Sequence, residues 1–119
     1  HYLKENLADN PSIGTFKSYD GVYTGWLAFP LLLKNKLAGR RKEFQIFLEK
    51  EGIQTRTVFT GNITRQPVAK KFKWQKFGNM TNSNEIMANG ILLGCHNKMT
   101  KEKMDYVLEK IECFSKLHH

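Results

Sequence analysis

The sequence predicts a small α/β domain of the α+β kind, about three strands packed with helices. Three observations predict it. The apolar run at residues 26–33 (Trp26, Leu27, Ala28, Phe29, Pro30, then three leucines) has the length and composition of a strand. Residues 39–51 and 101–116 both set apolar side chains at helical spacing along one stripe. Residues 53–59 and 91–94 have strand character and lie between or beside those helices, so the two element types interleave along the chain.

Taken in order, Tyr2, Leu3 and Leu7 keep a helical spacing with no N-terminal start signal, which predicts the last turns of a helix. Asn10 and Pro11 break it, and residues 12–25 are rich in Gly, Ser and Tyr, with a turn at Asp20 and Gly21. The composition of 26–33 suits a strand covered on both faces. Pro30 cannot donate to a ladder, which favours an edge position or a bulge there. In the helix at 39–51, Phe44, Phe47 and Leu48 form the buried stripe, Arg40, Arg41, Lys42, Glu49 and Lys50 face water, and Gly52 is the stop. Ile53, Thr55, Thr57 and Phe59 alternate with Gln54, Arg56 and Val58, the period of a strand.

Residues 60–82 are irregular. Asn82 with Glu85 three residues on is a variant capping box, predicting a short helix to about Asn89 that ends at Gly90. A short buried strand follows at 91–94. Thr100 caps the last helix, in which Met104, Val107, Leu108, Ile111 and Phe114 make the apolar stripe.

The chain has 119 residues, 40% of them hydrophobic, among them eight Phe, four Tyr and two Trp, enough for one domain with a core of its own. No stretch is long and apolar enough to span a bilayer, and no signal-peptide arrangement opens the chain. Cys95 and Cys113 share no metal-site or redox spacing, so the expected setting is reducing and cytoplasmic. Leu117, His118 and His119 are taken as a tag remnant. The formal charge of +8, from 19 basic and 11 acidic residues, favours an anionic partner: nucleic acid, an anionic membrane surface or a phosphorylated small molecule. A domain separated from an acidic remainder would show the same imbalance.

Residues 52–67 read Gly-Ile-Gln-Thr-Arg-Thr-Val-Phe-Thr-Gly-Asn-Ile-Thr-Arg-Gln-Pro. A helix ending in Gly-Ile-x-Thr-Arg, followed by Gly-Asn-x-Thr-Arg-Gln-Pro, resembles the C-terminal domain of the DegT/DnrJ/EryC1/StrS family of sugar aminotransferases and dehydratases. It is most similar to the 3-dehydratase branch that makes dideoxyhexoses for lipopolysaccharide O-antigens. Three further segments resemble the family in the same order: Trp26-Leu27-Ala28-Phe29-Pro30, the Met80-to-Met87 stretch with its Leu/Met-Thr-Asn opening, and residues 94–107 with Met99-Thr100 and Tyr106-Val107. Together they cover roughly residues 25–114.

The resemblance implies the small C-terminal domain of a fold-type I, aspartate-aminotransferase-like enzyme. Residues 1–24 would be the tail of an inter-domain helix and its connecting loop, and residues 25–116 the small domain. It implies a B6 cofactor, pyridoxal or pyridoxamine phosphate, held in the parent protein mainly by a large domain absent from these residues, with none expected on this segment alone. In the dehydratase branch the pyridoxamine amine condenses with the 4-keto group of a nucleotide-linked 6-deoxy sugar and the C3 hydroxyl departs. The implied partners are that sugar, the parent's own large domain and a second subunit; membrane and nucleic acid are not among them. No catalytic or metal-binding residue is expected here, and Cys95 and Cys113 do not match the iron–sulfur cysteines of some relatives.

What the small domain would supply is substrate contact. Arg65, beside Gly61 and Asn62, offers a planar fork to a diphosphate or a sugar hydroxyl; its plain alternative is a solvated loop arginine. Asn62 marks a turn and is a candidate because the resemblance puts that turn at the active site. Thr60 and Gln66 join it through the same loop. Arg56 lies in a strand, where pairing with a carboxylate is the simpler account. His96 follows a strand end similar to a Gly-x-His pattern in some dehydratases. Trp26 and Phe29 are expected in the core. Two other readings stand beside the dehydratase: an aminotransferase of the same family, and a small basic module binding nucleic acid or protein, for which the Lys70-Lys71-Phe72-Lys73-Trp74 cluster is the feature to weigh.

Overall fold

The computed structural model describes residues 1–95 and 98–118, and the His96 candidate lies outside them. Its centre is a four-stranded, wholly antiparallel sheet in the order β1-β2-β4-β3. The strands are β1 (Ile13–Gly14), β2 (Ala28–Leu33), β3 (Thr55–Arg56) and β4 (Gly90–Gly94), and the helices are α1 (Tyr2–Leu7), α2 (Arg41–Lys50), α3 (Thr81–Asn89) and α4 (Lys101–Leu117). The mixed α/β class expected from the sequence is the one found. The sheet has one strand more than expected, because β1 is only two residues long and lies in a Gly/Ser-rich stretch with no alternation to reveal it.

The long central pair is β2 with β4, in register from Ala28 opposite Gly94 to Leu32 opposite Gly90. Burial alternates along β2: Phe29, Leu31 and Leu33 are buried, while Ala28, Pro30 and Leu32 are half-buried. The expected two-sided cover is therefore corrected to one-sided. Three helices cover the inner face, where Leu3 and Leu7 of α1, Phe44 and Leu48 of α2, and Val107, Ile111 and Phe114 of α4 join Phe29, Leu31, Leu33, Ile91 and Leu93 in one core. Each fully buried side chain of this size contributes about 1.5–3 kcal/mol. Phe114 is the hub, with edge-on or tilted ring contacts to Phe44 at 5.0 Å and Phe47 at 5.3 Å. Phe29 is core as expected. Trp26 is not: it stands before the first residue of β2, nearly half exposed, with its ring against Phe16.

Pro30 is accommodated by the length of β1. The Lys34 N–H donates to Ser12 on the β1 side, so by the two-residue repeat the nitrogen of Pro30 faces that side too. There β1 has already ended, since it pairs only with Leu32 and Leu33. The edge expected for Pro30 exists locally, within a strand that is central elsewhere.

Two boundaries differ from expectation. The strand predicted at 53–59 keeps only Thr55 and Arg56 in the ladder. Beyond them the Phe59 N–H donates to the Thr57 carbonyl and the Thr57 hydroxyl donates to the Phe59 carbonyl, closing a turn that turns the chain out of the sheet. The capping box predicted at Asn82 does not form, because α3 already starts at Thr81. Asn79 accepts from the Thr81 N–H, and Glu85 accepts from the Asn89 amide. Thr100 caps α4 as expected, accepting from the Lys103 N–H.

Candidate functional site

The loop after β3, residues 57–66, is built against α3. Gly61 has a φ of +71°, and a Cβ there would lie 2.4 Å from the Cα of Met87, so the backbone of the loop touches the backbone of the helix. Asn62 fixes the next step. Only 4% exposed, it accepts at Oδ1 from the Thr64 N–H (3.0 Å) and the Thr64 hydroxyl (2.6 Å), and it donates from Nδ2 to Asn84 Oδ1 (2.8 Å). Its side chain faces α3 and caps the short 3-10 turn at Ile63–Arg65. The junction of α3 and β4 is tied in turn to the start of α2: Asn89 Oδ1 accepts from the Gly39 N–H at 2.7 Å, and the Arg41 guanidinium donates to the Met87 carbonyl.

These contacts leave a cleft of about 290 Å³ lined by Arg41, Thr57, Phe59, Thr60, Gln66 and Met87, with Val58 and Gly61 at its back. Of the residues singled out in the sequence, Thr60 and Gln66 meet in this cleft. Arg65 is exposed on the same loop; its N–H donates to the Asn62 carbonyl at 3.1 Å, and its guanidinium makes no hydrogen bond or ion pair among the described residues. Asn62 holds the loop from inside. Arg56 stands at the sheet edge, on the face it shares with Leu92, with a 3.3 Å donor contact to the Thr55 carbonyl and Glu49 as the nearby opposite charge. The carboxylate partner expected for Arg56 is therefore Glu49, as an attraction without a direct ion pair.

Arg41 and Phe59 are cleft residues that the sequence did not reveal. Arg41 was assigned to the water-facing side of its helix, yet it is half-buried because α3 crosses there. Phe59 was in phase with the buried residues of a strand; its turn instead leaves it 89% exposed. No local spacing signals either outcome: the burial of Arg41 depends on where α3 docks, and the exposure of Phe59 on the turn that ends β3. The lining has cationic and neutral hydrogen-bonding groups and no carboxylate. It suits an anionic or hydroxyl-rich ligand.

A larger cleft, about 570 Å³, lies at the other end of β4 between Ile53, Leu93, Met99, Tyr106 and Val107, mostly the rim of the core itself. Among the described residues there is no group of three or more His, Cys, Asp or Glu that could hold a metal, and no helix long and apolar enough to cross a membrane. The two lysines with displaced pKa values, Lys110 and Lys116, are pushed up by hydrogen bonds to Glu51 and Glu112.

Solved structures share this fold. The Escherichia coli GDP-4-keto-6-deoxy-D-mannose-3-dehydratase with bound hydrated pyridoxal phosphate superposes with a TM-score of 0.80 at 24% identity, over 92% of this chain and 28% of that one. The architecture is thus that of a segment of an aminotransferase-like, fold-type I enzyme. The chain belongs to the DegT/DnrJ/EryC1/StrS aminotransferase family, whose pattern it matches over residues 1–112. It is 37% identical to the lipopolysaccharide biosynthesis protein RfbH of Salmonella typhimurium over 89 residues, 75% of this chain and 20% of that protein. It is 30% identical to the dTDP-4-dehydro-2,6-dideoxy-D-glucose 3-dehydratase of Saccharopolyspora spinosa over 112 residues, 94% of this chain and 24% of that protein. The chain therefore spans between a fifth and a quarter of the length of these relatives.

Proposed function

We propose that the chain is the small C-terminal domain of a B6-dependent nucleotide-sugar 3-dehydratase of deoxysugar and lipopolysaccharide O-antigen biosynthesis. The observation that carries this reading is the 30% identity, over 94% of the chain, to a relative named as a sugar 3-dehydratase. In this reading the cofactor and the reacting groups lie in the parent's large domain, and the 57–66 loop is the domain's contribution to the substrate. Thr60 and Gln66 meet sugar hydroxyls, Arg65 meets the diphosphate, and Asn62 holds the loop in place. Arg56 and His96 are kept as outer contacts, a second subunit as the assembly partner and the cytoplasm as the setting.

The cleft supports the reading through its chemistry, cationic and hydroxyl-bearing with no acidic wall. An aminotransferase of the same family is the second reading, favoured by the family description. The nucleic-acid reading is weaker: the Trp74 indole N–H is engaged by the Ala69 carbonyl at 2.9 Å, and the lysines around it do not form a recognised binding motif.

The experiment uses the full-length protein with pyridoxamine phosphate and a 4-keto-6-deoxy nucleotide sugar labelled with heavy oxygen at C3. Release of the label to water is the expected result. Retention of the label with amine transfer from glutamate to C4 would establish the aminotransferase instead. In the same assay Arg65→Ala is expected to raise KM about tenfold with kcat nearly unchanged, the signature of lost binding made equally in ground and transition states. An unchanged KM would return Arg65 to the solvated surface.

A further inference from the structure

We propose that Phe59 is the specificity-determining contact of the cleft, its ring lying against the deoxygenated C6 and neighbouring C–H groups of the bound sugar. The inference rests on the nucleotide-sugar reading above. Phe59 has a φ of +46°, in the left-handed region that a bulky residue enters only when its surroundings impose it. Nothing packs on its ring to offset that strain, since the side chain is almost wholly exposed. What imposes the conformation is the backbone on either side: Phe59 N–H to Thr57 O (2.9 Å), Gly61 N–H to Val58 O (3.0 Å), Asn62 N–H to Thr60 O (2.9 Å), and behind them the buried Asn62–Asn84 pair. A folded chain would be better served by glycine at this position. An aromatic ring held out at strain points to a use outside the domain's own core.

The neighbours say what the ring meets. Thr57 and Thr60 bring hydroxyls, Gln66 an amide and Arg41 a guanidinium with donors left after its bond to Met87. One apolar face beside several short or planar hydrogen-bonding groups matches a pyranose, which carries its hydroxyls around the rim and C–H groups on its face. A cleft of about 290 Å³ takes one such ring and not a whole nucleotide sugar. A hydroxyl at C6 would be pressed unpaired against the phenyl ring, whereas a methyl group gains by the same contact.

The test measures binding by the full-length protein, by calorimetry, of cytidine, guanosine and thymidine diphosphate 6-deoxyhexoses, their 6-hydroxy counterparts and the free nucleoside diphosphates. Phe59→Ala is expected to weaken the 6-deoxyhexose by about tenfold or more while changing the 6-hydroxy sugar and the free diphosphate little. Phe59→Gly, which relieves the backbone, is expected to lose the same discrimination without lowering the melting temperature. An equal loss for the free nucleoside diphosphate would mean that the ring stacks on the base, and the proposal falls. An unchanged preference with a lowered melting temperature in both variants would mean that the ring packs on the rest of the protein, and the proposal falls again. If the wild-type protein binds no nucleotide sugar of the set, the nucleotide-sugar reading itself fails; if it binds one with Phe59 immaterial, only the present inference does.

Discussion

At the scale of single residues, the loop's position depends on two glycines that look alike in sequence and differ in surroundings. Gly61 and Gly78 both have positive φ, +71° and +72°, but a Cβ at Gly61 meets the backbone of Met87 and one at Gly78 meets nothing within 4 Å. Gly78→Ala is expected to cost about 1–2 kcal/mol, the left-handed penalty alone. Gly61→Ala adds a backbone collision that no side-chain rotation can relieve, for a total of about 2–4 kcal/mol, and it should push the loop off α3. Denaturant midpoints of the two variants give the comparison, and equal losses would show that the loop does not rest on the helix. The Gly-Asn pair was legible in the sequence as a turn. Its grip on α3 was not, because Met87 and Asn84 lie over twenty residues away and neither carries a signal of its own.

At the scale of elements, periodicity carried α2 and α4 well: their stripes at Phe44, Leu48, Val107, Ile111 and Phe114 are the buried residues. It failed for β3, a strand of two residues whose short ladder with β4 is reinforced by a side chain on another element. Glu49 of α2 accepts at Oε1 from both the N–H (2.7 Å) and the hydroxyl (3.0 Å) of buried Thr55, with Gln45 adding a 3.2 Å bond to the same hydroxyl. The backbone hydrogen bond from Thr55, then its hydroxyl, hold the Glu49 carboxyl below its ordinary value, with Arg56 helping and partial desolvation opposing. A group whose pKa is lower in the folded state stabilises above its unfolded pKa, and that contribution is lost as pH falls through the folded value. Glu49→Gln keeps an acceptor oxygen and removes the charge. The variant is therefore expected to be less stable than the wild type at pH 7, with the gap narrowing as the pH falls through and below the ordinary carboxylate range. A constant gap between the two urea midpoints across that range would remove the charge from the account of how β3 is held.

At the scale of the whole molecule, the radius of gyration is 15.7 Å, against about 13.5 Å for a compact domain of this length. The long connections before β2 and between β3 and α3 carry the most exposed large side chains: Tyr23 (99%), Leu27 (94%) and Phe77 (97%). The half-buried outer face of the sheet, with Pro30, Leu32 and Leu92, adds to this apolar surface. Apolar groups presented in this number on a separate domain associate with whatever apolar surface is offered, and in the 119-residue chain alone that is a second copy. The formal charge of +8 opposes such contact, and its reach shrinks from about 10 Å at 0.1 M salt to about 3 Å at 1 M. The isolated chain is therefore expected to self-associate with rising concentration in sedimentation velocity, and more strongly in 1 M salt than in 0.1 M. Replacing Tyr23 and Leu27 together by serine should weaken the association in both conditions, because the contact is apolar and the charge only resists it. Association that falls with salt would reverse the roles and make it electrostatic. A strictly monomeric wild type at every concentration would show that these side chains are tolerated in water as they stand.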